Sequence, residues 1–244
     1  MKTPRKVSLV TGAGRRLGRQ IALALAGSGH DIVVNYYTSE KIALKTVELI
    51  KQMGVNAIAI RADVSNKIQV KRMIDRIVKQ FGHIDVLINN AGIFTDSPLD
   101  KITERVWNNT ININLKGTFL CSQEVSKYML MQKSGRIINI ASLGGIQAWS
   151  KHIPYSVSKA GVIMLTKCLA KSLAPRIMVN AIAPGAIKIE GEQTSDLRFI
   201  SVNRIPMKRY GIPSDITNLV LFLANTAEYI TGQIFSVDGG RSVN

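Results

Sequence analysis

The chain has 244 residues, 46% of them hydrophobic, and a formal net charge of +16. That length and apolar content supply core for one globular domain spanning 1–244, and no apolar run approaches the roughly 20 residues of a membrane span. The positive charge draws polyanions in general, nucleic acid, acidic proteins and phosphorylated cofactors alike, but without a dense Lys/Arg tail or a basic-aromatic interleave it does not point to nucleic acid as the main partner.

The first element is a strand over 7–11, running into a turn punctuated by Gly12, Gly14 and Gly18 and then a helix carrying Leu17, Ile21, Leu23, Leu25 and Ala26. Such a turn gathers backbone amides and a helix N-terminus, a setting suited to a pyrophosphate. Residues 31–36 read as the second strand. In dinucleotide-binding folds an acid near the end of this strand holds the adenosine ribose and repels a 2′-phosphate. Here the chain reads Asn35, Tyr36, Tyr37, Thr38, Ser39, with no acid until Glu40, while Arg15 and Arg16 stand in the glycine turn. Two guanidinium groups beside a positive helix end favour a bound phosphate, so the expected cofactor is NADP(H) rather than NAD(H).

Alternation continues with a helix over 40–53, a strand over 56–60, a helix over 67–81 and a strand over 84–88. A long helical stretch over 103–131 follows, then a strand from Ile137, the helix carrying Tyr155, a strand over 178–182, a helix over 213–224 opened by Pro213, and a strand over 233–237. Regular alternation predicts an α/β fold with a parallel sheet, helices on both faces and right-handed crossovers. The basic start at 1–6 runs directly into structure without a signal-peptide core and reads as cytoplasmic. Cys121 and Cys168 lie in apolar helical patterns without Cys-x-x-Cys spacing and read as reduced, buried thiols, and His30, His83 and His152 form no metal-ligand pattern. No protein-built metal site is expected.

The chemistry concentrates between Gly135 and Lys159. A run rich in β-branched residues, Ile137 to Ala141, reads as a buried strand ending at Ser142, and after Gly144 and Gly145 the chain reaches Tyr155 and Lys159, spaced to share a helix face. A phenol is a poor acid or base near neutrality, with a pKa of about 10, but a neighbouring ammonium favours the phenolate. A hydroxyl donating to a carbonyl oxygen stabilises the charge developing there while the phenol delivers a proton. The set fits carbonyl reduction, or alcohol oxidation in reverse. A Tyr-x-x-x-Lys spacing alone is common; the rest of the chain gives it weight.

With TGAGRRLG at Thr11 to Gly18, Asp63-Val64, NNAG at Asn89 to Gly92, Asn114 in NINLKGTF, Ser142, the Tyr155 to Lys159 motif, Pro184-Gly185 and Val237 to Gly240 in this order, the sequence resembles the short-chain dehydrogenase/reductase family over essentially its whole length. The resemblance implies a single Rossmann domain, doubly wound, with a parallel sheet of about seven strands and hydride transfer from a nicotinamide. It makes Tyr155 the general acid, gives Lys159 the nicotinamide ribose and the lowering of the tyrosine pKa, gives Ser142 the substrate carbonyl, and gives Asn114 a water linking Lys159 to solvent. Cofactor contacts are implied at Gly12, Arg15, Arg16, Leu17 and Gly18, at Tyr36, Thr38 and Ser39, at Asp63 and Val64 beside the adenine, at Asn90, Ala91 and Gly92 along the floor, and at Tyr155, Lys159, Pro184, Gly185 and Ile187 around the nicotinamide. Members are usually homotetramers that pair the Asn114 and Tyr155 helices across a two-fold axis, with the C-terminal strand making another contact.

Two positions depart from the family pattern. Arg16 stands where a second glycine is usual and, with Ser172 to Pro175, resembles pteridine and dihydrofolate-type reductases, one branch of which has aspartate where this chain has Ser142. Lys188 replaces a threonine that helps hold the cofactor in many members. Length and the contexts of Ile93, Met207 and Tyr229 are most similar to 3-oxoacyl-[acyl-carrier-protein] reductases, which implies a 3-oxoacyl thioester substrate, fatty-acid synthesis, and an acidic carrier protein docked on Lys133 and Lys171. Open alternatives are a pterin, sugar or other small carbonyl in the same fold, and a non-catalytic basic binding protein. The segment 186–206 reads as the substrate lid, polar at Glu190, Glu192, Asp196 and Arg198 and apolar at Leu197, Phe199 and Ile200, with Trp149 and His152 as candidate pocket residues.

Overall fold

The computed structural model describes residues 4–191, 197 and 200–243. Seven strands, β1 (Val7–Val10), β2 (Asp31–Tyr36), β3 (Ala57–Arg61), β4 (Val86–Asn89), β5 (Gly135–Ile140), β6 (Ile177–Pro184) and β7 (Ile234–Val237), form one sheet in the order β3-β2-β1-β4-β5-β6-β7. Every pairing is parallel. Parallel strands covered on both faces read as continuous apolar runs, and β1, β2 and β4 are buried throughout.

The pleat sends alternate residues to two cores. Val10, Ile32, Val34, Ile88 and Ile138 pack under α1 (Arg16–Gly27), α2 (Glu40–Gln52) and α7 (Pro213–Asn225). Leu9, Val33, Leu87, Ile137 and Val179 face α3 (Lys67–Phe81), α5 (Gly117–Gln132) and α6 (Ile153–Leu173). Helices on both faces of a parallel sheet make the fold a doubly wound α/β Rossmann arrangement, and the strand order reverses between β1 and β4, where ligands bind beyond the strand ends.

The long helical stretch expected over 103–131 is divided: α4 (Glu104–Ile111) passes through a five-residue π-helical turn, Asn112–Lys116, into α5. Asn114 sits in that turn, fully buried, and its amide donates to Ile93 O at 2.9 Å and Ser158 Oγ at 3.0 Å while accepting from Ile93 N at 2.8 Å. A chain of buried amides lies beneath the strand ends: Asn89 Nδ2 donates to Ser122 Oγ and Asn139 Oδ1, and Asn139 Nδ2 donates to Thr166 Oγ1. Satisfied polar networks of this kind fix a single register among their elements, here β4, β5, α5 and α6. Cys121 is buried, with its thiol pushed up to about 12 by loss of water, but Cys168 is exposed on α6, against the expectation of two buried thiols. Among the described residues no helix is long and apolar enough to cross a membrane.

Candidate active site

One cleft of about 860 Å³ opens beyond the C-terminal ends of β1, β2, β4, β5 and β6. Its lining includes Gly12, Arg15, Arg16, Leu17, Gly18, Tyr36, Thr38, Ser39, Asp63, Val64, Asn90, Ala91, Gly92, Ser142, Tyr155, Lys159, Pro184, Gly185 and Ile187. Asn114 is behind the wall rather than on it: a Cβ on Gly92 would stand 3.2 Å from Asn114 Oδ1 and 3.8 Å from Lys159 Nζ.

The β1 end and the β4 end are stitched together. Thr11 Oγ1 accepts from the Asn90 and Ala91 amides at 2.9 and 3.0 Å, and Asn90 Nδ2 donates to Thr11 O at 2.9 Å. Helix α1 packs so closely here that a Cβ on Gly18 would lie 2.4 Å from Asn90 Nδ2 and 2.5 Å from Gly12 O. Only glycine fits. Arg15 is the N-cap of α1 with no side-chain cap, and the first turn carries no acid. Arg16 has φ +52, the left-handed region that glycine ordinarily occupies, which accounts for glycine being usual at this position. The end of β2 offers no carboxylate to the cleft, since Glu40 accepts from the buried Tyr36 hydroxyl at 2.8 Å and lies outside the lining. Amides of an uncapped helix start beside two guanidinium groups suit an anionic, phosphate-bearing cofactor. On this donor set a dinucleotide fits.

At the other end, Ser142 follows β5 and accepts from Gly144 N at 3.0 Å, which orients the hydroxyl and leaves its proton for an acceptor in the cleft. Helix α6 starts at Ile153 with Pro154 in its first turn, a position that lacks an amide partner in any case, and it carries Tyr155 and Lys159 one turn apart. Lys159 is buried, donates to Ile140 O at 2.6 Å, and has its pKa lowered to about 8 by loss of water. Its Nζ is 5.8 Å from the centre of the Tyr155 ring.

Aromatic rings frame the phenol. Phe94 meets the Tyr155 ring edge-on at 4.7 Å and stacks on His152 at 4.3 Å, and Trp149 is nearly parallel to Tyr155 at 6.2 Å. His152 Nδ1 is 2.7 Å from Thr95 O, so that nitrogen carries the proton. Trp149 and His152 were expected near the pocket; Phe94 was not, because nothing in NNAGIFTD marks which side chain the loop after β4 turns inward. Ile189, Leu197 and Ile200 also line the cleft, with the Tyr210 hydroxyl donating to Ile200 O at 2.6 Å. Glu190 is exposed; Glu192, Asp196, Arg198 and Phe199 lie outside the described residues. Lys188 is exposed and bonds through its amide to Gly211 O, so the cleft contacts on this segment come from its neighbours Ile187 and Ile189. Lys133, the C-cap of α5, and Lys171, in the last turn of α6, precede the starts of β5 and β6, at the end of the strands opposite the cleft.

A family model described as enoyl-(acyl carrier protein) reductase matches residues 12–242. The chain is 47% identical over 239 residues to a 3-oxoacyl-[acyl-carrier-protein] reductase of Staphylococcus epidermidis, covering 96% of this chain and 98% of the relative. It is 46% identical over 238 residues to a 3-oxoacyl-[acyl-carrier-protein] reductase of Synechocystis, covering 96% of each. Among solved structures, acetoin dehydrogenase from Enterobacter cloacae matches with a TM-score of 0.90 at 35% identity, over 99% of this chain and 97% of that one. NAD+-bound xylitol dehydrogenase matches with a TM-score of 0.91 at 32% identity, over 98% and 100%. With the glycine turn, the Ser142, Tyr155 and Lys159 set and these matches in agreement, the chain belongs to the short-chain dehydrogenase/reductase family of oxidoreductases.

Proposed function

We propose that the chain is an NADPH-dependent reductase of 3-oxoacyl thioesters, turning the ketone into a secondary alcohol. The observation that carries this reading is the meeting of Ser142, Tyr155 and Lys159 at one end of a cleft whose other end holds Arg15 and Arg16 beside an uncapped helix start. The near full-length likeness to 3-oxoacyl-[acyl-carrier-protein] reductases supports the substrate class.

Arg15, Arg16, Thr38 and Ser39 hold the phosphate end of the cofactor, Asp63 and Val64 flank its adenine, and Asn90, Ala91, Gly92, Pro184, Gly185 and Ile187 hold the rest. When bound, NADPH supplies the hydride that the carbonyl carbon receives. The Ser142 hydroxyl donates to the carbonyl oxygen and stabilises its growing negative charge. The Tyr155 phenol donates its proton to that oxygen, and the Lys159 ammonium stabilises the phenolate left behind. Asn114, whose side chain is occupied by Ile93 and Ser158, acts by fixing the wall behind Lys159, and a water held at its turn reprotonates the lysine.

The protein works as a cytoplasmic homotetramer, with half-exposed Phe119, Val157 and Met164 on α5 and α6 supporting pairing there. A two-fold axis across these helices sets them antiparallel, so an acidic carrier docked at Lys133 and Lys171 of one subunit stands by the cleft of another. A second reading, reduction of a pterin, is favoured by one feature, the flat aromatic surface of Phe94 and Trp149 beside Tyr155.

The test is NADPH consumption with an acetoacetyl thioester and a dihydropterin side by side, with Tyr155→Phe as the blank. Thioester turnover that vanishes in the blank supports the proposal. Turnover of the pterin alone moves the chain to the second reading, and binding of duplex DNA in preference to NADPH at physiological salt marks a basic binding protein instead.

A further inference from the structure

The C-terminal segment brings a cation to the substrate end of the cleft that none of the assigned roles uses. Arg241 lines the cleft, and its guanidinium carbon stands 5.8 Å over the Trp149 ring, which itself lies 6.2 Å from Tyr155. The position is built from several directions. Gln147 Nε2 donates to Arg241 O at 3.1 Å, tying the segment to the loop that follows Ser142. Asp238 accepts from Gly240 N at 3.0 Å and Ser242 N at 2.6 Å, closing the turn on either side of Arg241. Gly239 and Gly240 have positive φ and pack on Ile205 and Pro206, the far end of the lid segment. Asp96 lines the same cleft, yet among the described residues no carboxylate forms an ion pair with Arg241.

A guanidinium held over an indole keeps its fork free for an oxyanion while the ring face takes up part of its charge. We propose that Arg241 recognises an anionic group, a carboxylate or a phosphate, that the substrate carries away from its ketone. This rests on the reading of the chain as a thioester ketoreductase and adds to it a residue that selects charged substrates over neutral ones. Two sources of the anion share this chemistry: a carboxylate at the far end of the acyl group, and the phosphate of the thiol arm in coenzyme A and carrier proteins.

The experiment compares wild type, Arg241→Gln and Arg241→Lys on three ketones: the acetoacetyl thioester of N-acetylcysteamine, which is neutral, acetoacetyl-coenzyme A, which carries phosphate, and the N-acetylcysteamine monothioester of 3-oxoadipate, which carries a carboxylate. The expected result is a rise in KM of about tenfold for one or both charged ketones in Arg241→Gln, with a smaller change for the neutral one, kcat largely kept, and partial recovery in Arg241→Lys. The charged ketone affected identifies the source. Equal changes in KM on all three, or none, overturns the role of Arg241, and NADPH binding followed by fluorescence shows whether the variant is folded. If wild type turns over none of the three, the thioester reading itself has failed, and this proposal falls with it.

Discussion

Lys159 Nζ stands 5.8 Å from the centre of the Tyr155 ring, buried, with the Ile140 carbonyl as its hydrogen-bond acceptor. Burial that lowers the lysine pKa from 10.5 to about 8 costs the fold on the order of 3 kcal/mol while the charge is present. Below pH 8 both folded and unfolded chains hold the proton and the full cost applies. Between 8 and 10.5 the folded chain has shed a proton that the unfolded chain keeps, so stability rises with pH over that window. Lys159→Met is therefore expected to stabilise the apoprotein by roughly 1 to 3 kcal/mol at neutral pH and to remove this rise, while turnover drops by about 10² to 10⁴. Denaturant melts of both proteins across pH 7 to 11, with NADPH-coupled turnover, check it; a less stable Lys159→Met would show that the buried ammonium is repaid by its bonds.

Arg16 separates backbone from charge. Its φ of +52 is left-handed, a conformation costing a residue with a Cβ roughly 1–2 kcal/mol, whereas glycine gives back about 0.4–1 kcal/mol through the unfolded chain. Arg16→Gly is expected to leave the melting temperature near that of the wild type, the relieved backbone offsetting the interactions that the Arg16 side chain gives up. The same change removes a guanidinium worth about 1.5–3 kcal/mol against a phosphate, so the KM for NADPH rises about tenfold or more and that for NADH moves little. Arg15→Ala with Arg16→Ala extends the loss. Equal effects on the two cofactors would rule out a 2′-phosphate contact.

What the residues alone disclosed, and what they hid, divides along the range of the interactions. Strands such as 31–36 and the helix over 67–81 are legible because apolar periodicity and turn residues are local, and their bounds match the structure. Gly12, Ser142, Tyr155 and Lys159 were legible in the cleft because a glycine turn, a strand-end hydroxyl and a Tyr-x-x-x-Lys spacing each imply local chemistry, whereas Asp63, Asn90 and Pro184 were expected there only through the resemblance to the family. The π-helical turn at Asn112–Lys116 was hidden, since it accompanies Asn114 reaching Ile93, 21 residues earlier. Phe94 and Arg241 were hidden for the same reason: their places come from contacts with His152, Trp149 and Gln147. Cys168 read as buried because an apolar helix such as α6 does not declare which of its faces meets solvent.

Gly145 is a further contact of this long-range kind. A Cβ there would lie 2.7 Å from Lys159 C and 2.9 Å from Ala160 N, backbone atoms of α6 that cannot swing aside. The loop carrying Ser142 is thus pressed against the helix carrying Tyr155 and Lys159. Gly145→Ala is expected to cost about 1–3 kcal/mol of stability through overpacking. It should also lower kcat by about 10²-fold, because a shift on the order of 1 Å between Ser142 and Tyr155 would spoil the joint hold on one oxygen proposed for them. Melting curves and kcat on an acetoacetyl thioester check this; full activity would mean that the loop moves without carrying Ser142.

Lys133 and Lys171 test whether the +16 charge serves a carrier protein. Both sit at the ends of α5 and α6, on the side of the sheet where the strands start and away from the cleft, so reversing them leaves Ser142, Tyr155 and Lys159 in place. Surface charges of this kind act mainly on association, and their effect fades as salt shortens the screening length. Lys133→Glu with Lys171→Glu is expected to raise KM for a carrier-borne acetoacetyl group by about tenfold at low ionic strength, with the difference shrinking towards 0.5 M salt. The same double variant should keep its kinetics on the N-acetylcysteamine thioester, which needs no docking. Parallel losses on carrier-borne and free thioesters would place the effect inside the subunit; no loss on either would leave the basic surface without a carrier-docking role at these two lysines and would turn attention to basic residues nearer the cleft mouth.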